Sequence, residues 1–287
     1  MVSILFACNK PAGEQSSAAT PSIDSFEYKV DRFEDIQILR YRVADFENLS
    51  LRQKELVYYL SQAALEGRDM LYDQNNKHNL CIRRTLEAVY LHYGDKSSDE
   101  FLKLEIYLKR VWMANGIHHH YSEDKMTPAF SVDFFSDAVR SLDSKTLPLQ
   151  EGETVEQLIS KLTPILFDSA VMSVRTNQAA GVDMIKTSAN NYYEGVSQQE
   201  VEDFYGAMKN PSDSTPVMFG LNSKVLKENG KVIEKTYKVG GMYSEAIIRI
   251  VSWLEKAADV AENSEQKAII DDLISYYRTG DLNKFDD

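Results

Sequence analysis

Residues 217–239, VMFGLNSKVLKENGKVIEKTYKV, decide the fold class of this chain of 287 residues. Two runs rich in β-branched residues flank Asn229-Gly230, a pair that accepts the positive φ angles of a tight turn and is a strong signal for a β-hairpin. Most of the remaining chain carries apolar residues at helical spacing. The sequence therefore predicts an α+β fold that is predominantly helical, with a small antiparallel sheet at about 217–239.

Helices are predicted on both sides of this hairpin, from apolar periodicity, capping residues and glycine or proline stops. Ser97–Glu100 and Ser197–Glu200 each have the pattern of a capping box, and Pro164 is expected to end a helix. A strand is predicted at 36–43 from its alternating pattern. The predicted helices lie at about 50–75, 79–93, 97–115, 131–142, 154–163, 198–209, 243–261 and 265–278.

The composition narrows the classes of function. The formal net charge of −12 argues against a nucleic-acid-binding protein, because such proteins neutralise phosphates with Lys and Arg. No apolar run approaches the roughly 20 residues that a transmembrane helix needs. The two cysteines, Cys8 and Cys81, form no CxxC pair, so neither a zinc knuckle nor a dithiol redox motif is present.

The N-terminus resembles the end of a bacterial lipoprotein signal. Leu5-Phe6-Ala7-Cys8 has the form of a lipobox, in which the cysteine becomes lipidated, although a basic n-region is missing. We expect a signal-peptide remnant at 1–7, a flexible tether at 8–24 and a domain at 25–287. A lipidated Cys8 would hold the protein at a membrane of the bacterial cell envelope, facing the periplasm or the surface. If the lipobox is not used, the N-terminus is a disordered segment of a cytoplasmic protein.

Residues 115–126, NGIHHHYSEDKM, contain three of the five histidines of the chain. A metal site, a solvated loop and the wall of a ligand cleft are the alternatives. Neighbouring residues of an extended segment point in alternating directions, so at most His118 and His120 could share an ion. Zinc sites usually need three or four protein ligands, which disfavours metal binding. Imidazole and aromatic groups on one loop at a helix end favour a cleft wall.

Catalytic motifs are missing from the sequence. It contains no H-E-x-x-H, no G-x-S-x-G, no P-loop and no G-x-G-x-x-G. Cys81 lies on the apolar face of a predicted helix, which indicates a packed core cysteine rather than a nucleophile. No catalytic residue and no metal ligand is therefore predicted within the chain.

Several segments, in their order along the chain, resemble the N-terminal part of the dipeptidyl peptidase III family of zinc exopeptidases, in its bacterial branch. The segments are LVYYLSQAALEG (56–67), VWMANGIHHHYSEDKM (111–126), NNYYEGVSQQEVEDF (190–204), GLNSKVLKENGKVIEKTYKVGGMY (220–243) and SYYRTGDLNKF (275–285). The resemblance covers about residues 26–287 and implies an incomplete lower lobe of a two-lobed peptidase. The catalytic zinc, held by an H-E-x-x-G-H motif and a downstream glutamate in the upper lobe, would then be bound outside this chain.

The resemblance also implies a role for the histidine run. It places an aromatic residue, here Tyr121, in the cleft near the N-terminal side chains of a peptide substrate. The predicted substrate-binding residues are Tyr121, His120, His119 and Asn115. The expected partners are a peptide, the missing upper lobe and a membrane, and the chain alone is expected to be inactive. The alternative is a non-enzymatic helical lipoprotein that binds a peptide or a partner protein.

Overall fold

The computed structural model of the chain describes residues 26–286, so the lipobox, Cys8 and the tether at 8–24 lie outside the described residues. The chain divides into two compact units between Phe46 and Glu47, and the predicted domain at 25–287 stays a prediction. In the first unit, strands β1 (Lys29–Phe33) and β2 (Ile36–Leu39) form an antiparallel hairpin. The strand predicted at 36–43 is present but shorter, and β1 was not predicted.

The second unit is mainly helical, which confirms the predicted fold class. The helix predicted at 50–75 is divided at Gly67 into two helices, and the other predicted helices are present with ends that shift by a few residues. The helices are α1 (Leu51–Glu66), α2 (Arg68–Asn75), α3 (Asn79–His92), α4 (Asp99–Ala114), α5 (Val132–Arg140), α6 (Val155–Phe167), α7 (Met184–Thr187), α8 (Gln198–Gly206), α9 (Ser244–Asp259), α10 (Ser264–Thr279) and α11 (Asn283–Asp286). Within residues 26–286, no helix is long and apolar enough to cross a membrane.

A three-stranded sheet contains the predicted hairpin. Strands β4 (Ser223–Glu228) and β5 (Lys231–Thr236) pair antiparallel around Asn229 and Gly230, both of which have positive φ. Strand β3 (Tyr193–Glu194) adds in parallel beside β4, giving the order β3-β4-β5. The strands are shorter than the predicted range of 217–239: the backbone turns at 219–222, where Gly220 has a φ of +84°, and β5 ends at Thr236.

One predicted capping box is confirmed and the other is wrong. At the start of α8, the Ser197 hydroxyl accepts from the Glu200 N–H, and the Glu200 carboxylate accepts from the Ser197 N–H. At the start of α4 the N-cap is Ser98, one residue later than predicted, and its hydroxyl accepts from the Phe101 N–H. The Glu100 carboxylate instead accepts from the Ser131 N–H at 2.6 Å, a contact between distant segments that local spacing does not show.

The prediction that Pro164 ends its helix is also wrong, since α6 continues to Phe167. A proline inside a helix costs about 3 kcal/mol, because one hydrogen bond is lost and the ring crowds the preceding turn. The extra turn buries Ile165 and Leu166, and each apolar side chain that is fully buried contributes roughly 1.5–3 kcal/mol. Burial of these two side chains is therefore sufficient to offset the cost of the proline.

Three apolar clusters organise the second unit. The largest joins α3, α4, α5 and α6, a second joins α1, α9 and α10, and a small third cluster packs α8 against the sheet. Cys81 packs against the largest cluster, and burial raises the pKa of its thiol, which agrees with a packed rather than a nucleophilic cysteine. Ile117 is fully buried in the same cluster, so the histidine run begins directly at the edge of this core.

Candidate functional site

The chain leaves α4 through a turn that only a few residue types can form. Asn115 is the C-cap of the helix in the left-handed conformation, with φ at 52°, and its carbonyl accepts from the Asn75 side chain at 3.1 Å. Gly116 follows at a φ of +144°, and a Cβ placed there would lie 2.1 Å from Asn79 Nδ2. The Ile117 N–H donates to Asn79 Oδ1 at 3.1 Å. The side chain of Asn79 therefore sets the direction in which the histidine run departs.

Residues 117–126 fold back on themselves as a short turn, which we call the histidine loop. The Met126 N–H donates to the Ile117 carbonyl at 2.8 Å, and the His119 N–H donates to the Asp124 carbonyl at 2.8 Å. His118 forms an antiparallel bridge with Lys125 between them. The three histidines thus occupy one arm and the tip of an extended turn, where side chains alternate in direction.

The three histidines differ in burial, and the pairing of His118 with His120 that alternation allowed is not present. His118 is only 2% exposed, and its Nε2 donates to the Met172 carbonyl at 2.8 Å, which fixes the proton on this nitrogen. His119 is half-buried, and its Nδ1 accepts from the backbone N–H groups of Tyr121 and Ser122 at 3.2 Å each. His120 is exposed at the tip. His118 and His119 therefore shape the loop, and His120 is left for contacts outside it.

Tyr121 and His120 form an exposed aromatic pair. Their ring centroids lie 4.2 Å apart at an interplanar angle of 44°, and the ring of His119 lies 4.7 Å from that of His120. The Tyr121 side chain is 84% exposed. This arrangement offers two stacking faces and a phenol hydroxyl on one loop tip. The predicted substrate contacts of Tyr121, His120, His119 and Asn115 stay predictions, with Asn115 and His119 in positions that also support the backbone.

The described residues do not fit a zinc site. Among residues 26–286, no group of three or more His, Cys, Asp and Glu side chains is placed to hold a metal ion. In the histidine loop, His118 is buried with its Nε2 bonded to the Met172 carbonyl, whereas His120 is exposed, so the two imidazoles do not share one site.

A salt bridge that the sequence analysis did not foresee supports the histidine loop. Glu123 has a positive φ of 63°, and its carboxylate lies 2.6 Å from the Arg175 guanidinium. The Arg175 N–H also donates to the Glu123 carbonyl at 2.9 Å. Partial burial alone would raise the pKa of Glu123, but hydrogen bonds and charge from Arg175 outweigh it, so the pKa is lowered. Glu123 therefore remains a carboxylate that holds residues 172–175 beside the loop.

Lys125 attaches the other arm of the loop to the end of α6. Its ammonium group donates to the Ile165 carbonyl at 2.9 Å, to the Val171 carbonyl at 2.6 Å and to the Asp168 carbonyl. The last turn of a helix presents unpaired carbonyls and a partial negative charge, so a cation is stabilising there. Burial lowers the pKa of Lys125.

Residues 172–175 connect the histidine loop to a second region of the unit. The Lys125 N–H donates to the Ser173 carbonyl, and the Ala189 N–H donates to the Val174 carbonyl at 3.0 Å. The Asn190 side chain donates to the Arg175 carbonyl at 3.1 Å. This segment is therefore a shared support, with the histidine loop on one side and residues 189–190 on the other.

Two cavities border this second region. One, of about 650 Å³, has Met172, Asn190 and Tyr193 among its lining residues. The other, of about 370 Å³, shares Asn190 and Tyr193 with it and adds Tyr192. The Tyr192-Tyr193 pair is half-buried, and Tyr193 packs against the third apolar cluster, as expected for structural tyrosines.

A chain of polar contacts lies behind the cavities. The Tyr243 hydroxyl donates to Asp73, which also accepts from Asn191 Nδ2 at 3.2 Å. The Lys224 ammonium donates to Asn191 Oδ1 at 2.8 Å and to Glu194 at 2.5 Å. Tyr243 adopts a positive φ of 56° at the start of α9. The contacts link α2, the 190–194 segment, strand β4 and α9, and none of them was predicted.

The comparison with family models agrees with the resemblance found in the sequence. Residues 184–287 match the model of Peptidase family M49. Among solved structures, DPP III from Caldithrix abyssi is similar with a TM-score of 0.49 and 17% identity, covering 83% of this chain and 32% of that chain. The chain thus spans about a third of the length of that protein. No curated protein matches. The resemblance to the dipeptidyl peptidase III family is therefore confirmed, and residues 184–287 are the part that matches its family model, Peptidase family M49.

Proposed function

We propose that this chain is part of the lower, substrate-binding lobe of a zinc peptidase that releases dipeptides from the N-termini of peptides. The observation that carries the proposal is the match of residues 184–287 to Peptidase family M49. That range contains α7 to α11 and the three-stranded sheet.

Within this proposal the chain binds substrate and does not cleave it. The resemblance to the family implies that the metal would be held by an upper lobe, outside residues 26–286, and those residues place no group of three or more His, Cys, Asp and Glu side chains for an ion. The histidine loop would supply the exposed faces of Tyr121 and His120 to the first side chains of a peptide. His119 and Asn115 would act mainly through the backbone that they support.

The activity test compares two preparations. The purified chain 1–287 should neither release dipeptides from a chromogenic dipeptidyl amide nor retain stoichiometric zinc. The protein encoded by the complete reading frame should release dipeptides and retain stoichiometric zinc. Its reading frame should contain H-E-x-x-G-H beyond codon 287. Metal-dependent turnover by 1–287 alone would overturn the assignment of catalysis to another lobe. A complete frame without the motif would favour a non-enzymatic lipoprotein that binds a peptide or a partner protein.

We also propose that the protein is anchored in the bacterial cell envelope through a lipid on Cys8. The support is the lipobox-like Leu5-Phe6-Ala7-Cys8, which lies outside the described residues. Intact-mass analysis of the membrane fraction should show a diacylglyceryl addition at Cys8 that Cys8→Ser removes. An unmodified Cys8 in that fraction would contradict the anchor without affecting the peptidase proposal.

A further inference from the structure

The cavity of about 650 Å³ has no role in the proposed function and carries a separate inference. Its lining comes from three parts of the second unit: Lys77 between α2 and α3, residues 170–173, and residues 185–196. The cavity thus lies where the support segment of the histidine loop meets strand β3. Pockets of roughly 300–1,000 Å³ are the size that proteins use for small ligands.

The cations around the cavity outnumber the acids. Lys77 and Lys186 line it, and Glu194 is the acidic residue of the lining. The Glu194 carboxylate is held at 2.5 Å by the ammonium of Lys224, whose side chain is only 9% exposed. The contact with Lys224 is the main cause that lowers the pKa of Glu194, and the more distant charge of Lys77 lowers this pKa further. The charge of Glu194 is therefore already compensated, which leaves a positive cavity in a chain of net charge −12.

Lys186 has an acid nearby, but that acid is engaged elsewhere. The Asp183 carboxylate lies 3.9 Å from the Lys186 ammonium, which is a loose contact. Its oxygens accept from the backbone N–H of Lys186 at 3.0 Å and from the Gln198 N–H at 3.2 Å, as the cap of α7. The Lys186 side chain is 63% exposed, so its ammonium can turn toward an anion in the cavity.

The remaining walls indicate the kind of anion. Met172, Ile185 and Val196 give the cavity an apolar side, and Tyr193 lines the same space. Burial raises the pKa of Tyr193, so its hydroxyl stays protonated and can donate a hydrogen bond. The lining cations are lysines, which attract an anion as point charges, so the apolar walls decide between a carboxylate and a phosphate. An apolar side next to two ammonium groups matches a carboxylate with a hydrocarbon body better than it matches a free phosphate.

We propose that this cavity binds a small organic carboxylate, with Lys77 and Lys186 facing the carboxylate and Met172, Ile185 and Val196 packing against its apolar body. The site is distinct from the exposed tip of the histidine loop. It requires neither zinc nor peptide cleavage, so it can be tested while the peptidase proposal is still open.

Calorimetric titration of 1–287 with hexanoate tests the site, with inorganic phosphate and hexanol as comparison probes. We expect saturable binding of hexanoate that weakens with salt, with phosphate and hexanol each binding at least about tenfold more weakly. The double variant Lys77→Gln/Lys186→Gln should lose at least about tenfold in hexanoate affinity, since hydrogen bonds to charged groups are among the stronger ones.

The matched control is Lys231→Gln, an exposed lysine at the start of strand β5 that does not line the cavity. It should bind hexanoate like the unchanged protein. Absence of saturable hexanoate binding, or equal affinity in the double variant and the control, would overturn the proposal. Phosphate binding as tightly as hexanoate would overturn the assignment to a carboxylate.

Discussion

The side chain of Asn79 fills the space that a Cβ on Gly116 would require. The amide nitrogen of Asn79 lies 2.1 Å from that position, while its Oδ1 accepts from the backbone just after the glycine. Asn79 is fully buried at the start of α3. The chain can therefore leave α4 in this direction only because Gly116 has no Cβ. The direction of the histidine loop depends on the same glycine.

Replacing Gly116 with alanine should destabilise the second unit through both backbone strain and the clash with Asn79. We expect a loss of about 2–4 kcal/mol in the free energy of unfolding, measured by urea denaturation. Gly152→Ala is the control, because Gly152 also has a positive φ but has no atom within 4 Å of its Cβ position. It should lose only about 1–2 kcal/mol. Equal losses at the two sites would show that Asn79 does not restrict the turn.

Lys125→Met should weaken the attachment of the histidine loop to the end of α6. The change removes the donor to the carbonyls of Ile165, Asp168 and Val171, while keeping most of the apolar stem. We expect a loss of about 2 kcal/mol in the free energy of unfolding, because acceptors near a helix end lose their partner. Lys231→Met, at an exposed position at the start of strand β5, should change stability by less than about 0.5 kcal/mol. A similar effect for both would show that Lys125 does not attach the histidine loop to the end of α6.

Acidification should destabilise the protein partly through His118. Burial lowers the pKa of His118, with hydrogen bonding to Met172 and charges from Arg175, Lys125 and Glu123 as smaller contributions. The unfolded chain therefore binds a proton more readily than the folded chain. Stability present above the unfolded pKa of 6.5 is lost as the pH falls through 6.5 toward the lower folded value.

The measurement for His118 is the free energy of unfolding between pH 7.5 and pH 5. His118→Gln should show a shallower loss across this range than the unchanged protein. Some slope should remain, because burial also lowers the pKa of His78. His120→Gln controls for the replacement of an imidazole on the same loop, since its ring is exposed at the loop tip. An unchanged slope in His118→Gln would contradict the burial argument.

Lys224→Met should break the polar chain behind the cavities. The buried ammonium holds Asn191 at 2.8 Å and Glu194 at 2.5 Å, and removing it leaves polar atoms without this partner. We expect a loss of about 2–4 kcal/mol, smaller than for a fully buried pair because the Glu194 side chain is 59% exposed. Lys227→Met, which breaks an exposed pair with Glu200, should cost less than about 1 kcal/mol. Reversal of this order in chemical denaturation would refute the structural role of Lys224.

Features governed by neighbours in the chain were predictable from the sequence. Asn229-Gly230 identified the hairpin because the turn itself requires positive φ. The cap of α8 followed from Ser197 and Glu200, three residues apart. One local expectation failed: alternation along an extended segment would place His118 and His120 on the same side, but His118 is buried and His120 is exposed, because the chain turns here.

Features governed by distant contacts were not predictable. Glu100 does not form the expected capping box, because its carboxylate accepts a hydrogen bond from the Ser131 N–H. Helix α6 continues beyond Pro164 because Leu166 is buried in the apolar core. The pairing of Glu123 with Arg175 joins residues separated by 52 positions, and no local pattern marks it. The support of the candidate site is built from such long-range contacts, which explains why only its exposed tip was visible in the sequence.

The most direct test of the central claim is the steady-state kinetics of dipeptide release by the complete protein carrying Tyr121→Ala. Without the Tyr121 ring to stack against the substrate, KM, or the Kd of a peptide inhibitor, should rise by about tenfold. Tyr41→Ala is the matched control, since Tyr41 is 81% exposed in the first unit, and it should leave both constants unchanged. If Tyr121→Ala also leaves both unchanged, the histidine loop is solvated surface and not the substrate-binding wall of a peptidase.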